Sequence, residues 1–117
     1  MVRSSFLRLA AAAALALGLA CSEPYGGALP PADAYVTVGN NFFMPQLVTI
    51  RAGQTVLWLW GGGANHDVVV NGAGAPPGCS LANVGFCTRQ FPTAGTFNYY
   101  CTPHGSEGMV GTIQVDP

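Results

Sequence analysis

The chain has 117 residues, half of them hydrophobic and only 8% charged, with a formal net charge of −1. That length suits one domain. Four lysines and arginines in all are too few to track a phosphate backbone, which excludes nucleic acid as a partner.

Residues 1–8 form a short basic start with Arg3 and Arg8, and Leu9 to Ala20 is a twelve-residue run of Leu, Ala and one Gly. A bilayer span needs roughly 20 apolar residues, so this run is too short to cross. A basic start, an apolar centre and a small residue at Ala20 read as a cleaved export signal over residues 1–20. Leu19-Ala20-Cys21 resembles the end of a bacterial lipoprotein signal, with Gly18 where Leu is usual and Leu19 where a small residue is usual. Cys21 is therefore a candidate for lipidation and a membrane tether, although ordinary cleavage after Ala20 would also leave it first. The expected destination is the bacterial periplasm or cell envelope. Residues 22–33 are rich in Pro and Gly and read as a tether to a folded part over residues 34–117. Beyond residue 20, Arg51 and Arg89 face Glu23, Asp33, Asp67, Glu107 and Asp116, a formal charge of −3. So few charges favour partner docking through an apolar face over electrostatic steering.

From Ala34 onward the pattern is short strand, turn, short strand. Tyr35-Val-Thr-Val38 alternates before Gly39-Asn40-Asn41, and Leu47-Val-Thr-Ile50 alternates before the turn Arg51-Ala-Gly53. Thr55 to Trp60 is β-branched and aromatic, and it ends at Gly61-Gly62-Gly63. Val68 to Val70 is a further strand, Asn71–Thr88 is either a short helix or an irregular loop, and Arg89-Gln-Phe91 is strand-like. Thr96 to Cys101 and Val110 to Val115 close the series. Many short strands with Gly, Pro and Asn turns and no helical period predict an all-β Greek-key sandwich. The three glycines precede Ala-Asn-His and another strand. They lack the Lys and following helix of a phosphate-binding loop, and they suit a backbone bend beside a metal site.

The four cysteines divide among three roles. Cys21 belongs to the export signal. Cys79 and Cys87 lie in a Gly/Pro-rich stretch, and export into an oxidising compartment favours a disulfide between them. Closing so short a loop stabilises by about 2–3 kcal/mol on the chain-entropy model. Two free thiols or a second metal site are the rival readings, the latter weakened by the lack of a spare histidine. Cys101 starts the segment Cys101-Thr-Pro-His104-Gly-Ser-Glu-Gly-Met109, with spacing C-x2-H-x4-M. Thiolate, imidazole and a weak thioether select copper in a trigonal site with a long axial contact. Of the two histidines in the chain, only His66 remains to supply the second imidazole. Met109 alone would read as core filler, but at this spacing it reads as an axial ligand.

The segment from Phe97 to Val115 resembles the C-terminal copper loop of the plastocyanin-like cupredoxins. Phe43-Met-Pro45, Val48 to Val56, Trp58, Trp60 and His66 are similar to the first half of that family. The resemblance implies a type 1 blue-copper site with His66, Cys101 and His104 in the trigonal plane and Met109 axial. It implies one copper ion cycling between Cu(I) and Cu(II), and an electron port at the edge of His104 within an apolar patch. Pro103, Gly61–Gly63, Ala64 and Gly105 would supply the patch. Tyr100 resembles a second, more remote port, without the acidic flank that plant plastocyanins have there; simple strand packing is the other reading of this residue. Asp67 stands where the family usually has Asn or Ser to brace the ligand loop. Its charge favours Cu(II) and lowers the reduction potential.

The expected function is thus a monomeric electron carrier exchanging single electrons with redox proteins, and not an enzyme. An exported copper chaperone or buffer is the alternative, but such a site needs open, exchangeable ligands. A copper enzyme needs a second centre with histidines this chain lacks. A zinc site of Cys101, His66 and His104 leaves Met109 unexplained.

Overall fold

Period-two alternation becomes one-sided burial along the short strands. In the computed structural model, which describes residues 27–117, the strands are β1 (Ala34–Gly39), β2 (Phe42–Met44), β3 (Leu47–Arg51), β4 (Thr55–Val70), β5 (Cys79–Gln90), β6 (Gly95–Tyr100) and β7 (Val110–Asp116). Val36 and Val38 of β1, Val48 and Ile50 of β3, Phe97 and Tyr99 of β6, and Ile113 and Val115 of β7 point inward and are buried. Their neighbours along each strand face outward, as a sheet with one wet side requires.

The strand order is β2-β1-β4-β6-β7-β3, with β5 paired to β4 off that path. β4 belongs to both layers of the sandwich. Its first half runs parallel to β1, from Ala34↔Val56 to Val38↔Trp60, and its last residues pair antiparallel with β6 at Val69↔Tyr100 and Val70↔Tyr99. β3 runs parallel to β7, and β6 and β7 form an antiparallel pair. This is the expected all-β sandwich.

Between the layers, Trp58 and Tyr99 meet edge to face with centroids 5.5 Å apart, and Tyr99 meets Phe43 at 4.7 Å. Each such pair contributes about 0.5–1.5 kcal/mol beyond area burial. The buried Trp58 Nε1 and Tyr99 hydroxyl have no hydrogen-bond partner among the described residues. Burial pushes the Tyr99 pKa up to about 12, with the neighbouring Trp58 N–H offsetting part of the shift.

Three local expectations differ from the structure. Gly61–Gly63 does not separate two strands, because β4 continues through it as one strand with register shifts on either side of His66. The stretch Asn71–Thr88 holds no helix; from Cys79 on it is strand β5. Much of β5 lies outside the core, so neither face is consistently apolar and no alternation marks it. Phe42–Met44 is a strand joined to β1 through the two-residue turn Asn40-Asn41, with Asn41 in the left-handed region at φ 64°. The Cys79–Cys87 disulfide is formed and Cys101 is free and buried.

Asp33, expected to end the tether, is already tied to the domain. Its N–H donates to Thr55 O at 2.9 Å and its Oδ2 accepts from Thr55 N at 2.8 Å. The residues expected to form an export signal, Cys21 and the expected tether up to residue 26 lie outside the described residues. No helix among the described residues is long and apolar enough to cross a membrane.

Candidate metal centre

Two elements deliver the candidate ligands. His66 comes from β4, on the far side of the glycine stretch. Cys101, His104 and Met109 come from the single loop between β6 and β7. That loop is closed on itself: Cys101 N donates to Met109 O at 3.1 Å, and Met109 N donates to His104 O at 3.2 Å. A 3-10 turn over Gly105–Glu107 spans the middle, and Gly108 leaves it in the left-handed region at φ 86°. A side chain there would be strained, so glycine suits the position that brings Met109 back to the core.

The structure brings three of the expected ligands into contact. His66 Nδ1 and His104 Nδ1 are 3.1 Å apart, and Cys101 Sγ lies 3.7 Å from the first and 3.5 Å from the second. A first-row ion with bonds of about 2.0 Å to nitrogen and 2.3 Å to sulfur would set trigonal donors roughly 3.5–3.8 Å apart. The observed triangle is that size, contracted by a few tenths of an ångström on its His–His edge. The donors therefore fit a single ion. Met109 is fully buried, and its main chain bonds both Cys101 and His104.

His66 and Cys101 are fully buried, and His104 is half-buried. Burial, then repulsion from His104, lowers the His66 pKa against the pull of Asp67, so its imidazole is neutral near pH 7. Burial raises the Cys101 pKa, opposed by backbone N–H groups at Asp67 and His104. The thiol thus keeps its proton until a metal displaces it.

Asp67 bonds the ligand loop twice. Its Oδ1 accepts from Thr102 N at 2.6 Å and its Oδ2 from Thr102 Oγ1 at 2.7 Å. Counting on from Val69↔Tyr100 places Asp67 across from Thr102 in the same antiparallel register. The side chain thereby continues the β4–β6 ladder past its last main-chain pair. Three contributors were not singled out from the sequence for these roles: Thr102, Asn40 and Trp60. Asn40 Oδ1 lies 3.3 Å from His66 Nε2 and accepts from Ala64 N at 3.4 Å. Trp60 Nε1 donates to His66 O at 2.9 Å. Asn40 reads locally as a turn residue, and its partner is 26 positions away, so no local signal could assign it.

Of the residues expected to form the patch, Pro103, Gly61, Gly63 and Ala64 are exposed, and Gly62 and Gly105 are half-buried. Tyr100 is half-buried and lines a groove of about 560 Å³ with Asn98, Thr102, Gly105, Ser106 and Val110. No carboxylate lines that groove.

A family model described as copper binding proteins of the plastocyanin/azurin family matches residues 33–116. The chain belongs to this family. Plastocyanin of Scenedesmus fuscus is 37% identical over 87 residues, covering 66% of this chain and 89% of that protein. A chloroplastic plastocyanin of Hordeum vulgare is 30% identical, covering 99% of this chain and 82% of the relative. Among solved structures, a mutant fern plastocyanin matches with a TM-score of 0.62 and 31% identity, over 70% of this chain and 99% of its own. Amicyanin from Paracoccus versutus matches with a TM-score of 0.62 and 30% identity, over 74% of this chain and 85% of its own. Copper is therefore the metal of this cupredoxin, which is a blue-copper electron-transfer protein and not an enzyme.

Proposed function

We propose that this cupredoxin shuttles single electrons between redox proteins through a copper ion held by His66, Cys101, His104 and Met109. The observation that carries the reading is the buried triangle of Cys101 Sγ with the two imidazole Nδ1 atoms, 3.1–3.7 Å on a side. Copper, when bound, supplies a one-electron Cu(I)/Cu(II) couple. The chain supplies the rest. A loop closed by Cys101–Met109 bonds and braced by Asp67 keeps the donors in place in both oxidation states. Burial of His66, Cys101 and Met109 excludes water from the ligands. The same burial speaks against a chaperone or buffer, whose ligands must open to exchange metal. Only His104 reaches the surface, amid uncharged residues, and a partner docking there would place its own redox centre nearest the copper.

The basic and apolar residues 1–20 support export to the periplasm or cell envelope. Cys21 with the Pro/Gly-rich 22–33 supports a lipid tether. The direct test is a visible spectrum with redox titration of the copper-loaded mature domain. An intense blue thiolate-to-copper band that Cys101→Ser abolishes is expected; a colourless Cu(II) protein refutes the assignment. Met109→Leu should keep the colour and raise the potential.

A further inference from the structure

β5 doubles back on itself. Eight residue steps lead from Cys79 to Cys87, a contour of about 26 Å in extended chain. Their Cα atoms are only 6.2 Å apart. β4 follows the same path, because the two strands are paired at Trp58↔Cys87, Trp60↔Gly85, Gly61↔Val84, His66↔Ala82 and Val68↔Cys79. The pair is thus an arch whose feet stand on the buried Trp58 and Val68. Gly62, Gly63 and Gly85, each at φ 93°, supply left-handed bends in both strands.

His66 sits in the inner strand of this arch, two residues from one foot. The ladder holds it weakly, since the register shifts both between Gly61 and His66 and between His66 and Val68. Two cross-ties close the feet instead. One is the Cys79–Cys87 disulfide. The other is Arg89, which donates from Nη2 to Gly78 O at 2.9 Å, from Nε to Pro77 O at 3.1 Å and Gly78 O at 3.2 Å, and from Nη1 to Thr88 O at 2.9 Å. Arg89 joins the residues just before Cys79 to those just after Cys87, the same gap that the disulfide spans. Trp60, whose Nε1 holds His66 O, lines a groove of about 430 Å³ with both cysteines and Arg89.

We propose that the Cys79–Cys87 disulfide and Arg89 form a clamp that positions His66, and that the clamp sets how firmly copper is retained. The inference rests on His66 being a copper ligand. A staple that served only global stability would act on the whole domain equally. This clamp closes the arch bearing one ligand and leaves the Cys101–Met109 loop untouched.

The test compares the Cys79→Ser/Cys87→Ser double variant and Arg89→Gln with Ile113→Val, a core change in β7 outside the arch. Copper(I) transfer from each folded protein to a bicinchoninate chelator is timed, and amide hydrogen exchange is mapped on the metal-free forms. The double variant should release copper about tenfold faster or more, the scale of losing a ligand's support. Arg89→Gln should shift release the same way by less. Exchange should accelerate at residues 61–68 and 80–86 ahead of 110–116. Wild-type release rates in the double variant would overturn the clamp, as would equal acceleration by Ile113→Val at matched thermal stability. If the double variant does not fold, the native disulfide can be reduced in the folded apo-protein by a water-soluble phosphine. The phosphine is oxidised to its oxide with oxygen from water, and both sulfurs become thiols. The same exchange pattern is then expected, and uniform or unchanged exchange would overturn the clamp. A wild-type protein that stays colourless with Cu(II) fails the copper reading itself, and this inference falls with it. A blue wild type with unaltered release in the variant sinks the clamp alone.

Discussion

Replacing Asp67 with Asn removes one negative charge beside the ligands while preserving most of the brace. Asn Oδ1 can still accept from Thr102 N, now 2.6 Å from the carboxylate, and the Thr102 hydroxyl can turn to accept from the new amide. Asp67 follows His66 directly and bonds the residue that follows Cys101. One residue step on each strand puts the carboxylate on the order of 7 Å from the centre of the donor triangle. At an effective dielectric of about 20, one charge at that distance is worth about 2.4 kcal/mol. The side chain is half-buried and its partner Thr102 is exposed, so solvent screening reduces this to about half or less. The charge stabilises Cu(II) over Cu(I). Its removal should therefore raise the potential by about 50 mV, taking about 59 mV per tenfold change for one electron. The assay is a redox titration of the blue band in wild type and Asp67→Asn at one ionic strength. Asp67→Ala, which removes the brace as well, serves as the comparison. An unchanged or lower potential in Asp67→Asn, with the spectrum retained, would refute the electrostatic argument.

Other consequences are separately measurable. Asn40→Ala leaves His66 Nε2 without its side-chain partner and should weaken copper binding about tenfold, read by competition with a chelator. Tyr99 has a pKa raised from 10.0 to about 12, so the unfolded state loses its phenolic proton first as pH rises. The stability this contributes is complete below pH 10 and lost between 10 and 12, to a limit of about 2.7 kcal/mol. Urea unfolding of the wild type should fall off across that window, and Tyr99→Phe should flatten the fall; parallel curves would argue against it. Intact-mass analysis without reductant should show one disulfide and a single reactive thiol after unfolding of the domain over residues 34–117, whereas a linkage to Cys101 would remove a ligand.

Much of the sandwich is legible in the sequence because period two is written into the chain. Val36 and Val38, Val48 and Ile50, and Ile113 and Val115 alternate with polar neighbours, and each pair is buried. The metal site is legible for a different reason. Only two histidines exist, two of the four cysteines are joined to each other and Cys21 adjoins the signal-like stretch, so scarcity leaves few choices of ligand. What escapes is nonlocal. β5 has no consistent buried face, so its residues do not alternate. Gly61–Gly63 looks like a break, because a glycine run cannot show that the neighbouring strand pairs across it. Asn40, Trp60 and Thr102 take on their roles only once the chain has folded.

The Asp67–Thr102 pair shows how the two legible halves become one site. His66 lies in β4 and Cys101 directly follows β6, so the distance between them depends on how those strands align. Toward the ligands, their main-chain ladder ends at Val69↔Tyr100. Two bonds at 2.6 and 2.7 Å, two register steps past Val69↔Tyr100 and between the positions of Cys101 and His66, fix the alignment where the ladder stops. Charge-assisted bonds of this kind are roughly twice as strong as neutral ones. An acidic residue in place of the usual Asn or Ser then has a structural reason. The carboxylate grips both the N–H and the hydroxyl of Thr102 as an acceptor twice over, which an amide cannot do without turning one of its donors toward the loop. The stronger brace comes with a negative charge beside the copper, so the firmness of the ligand loop and the reduction potential are set by the same side chain.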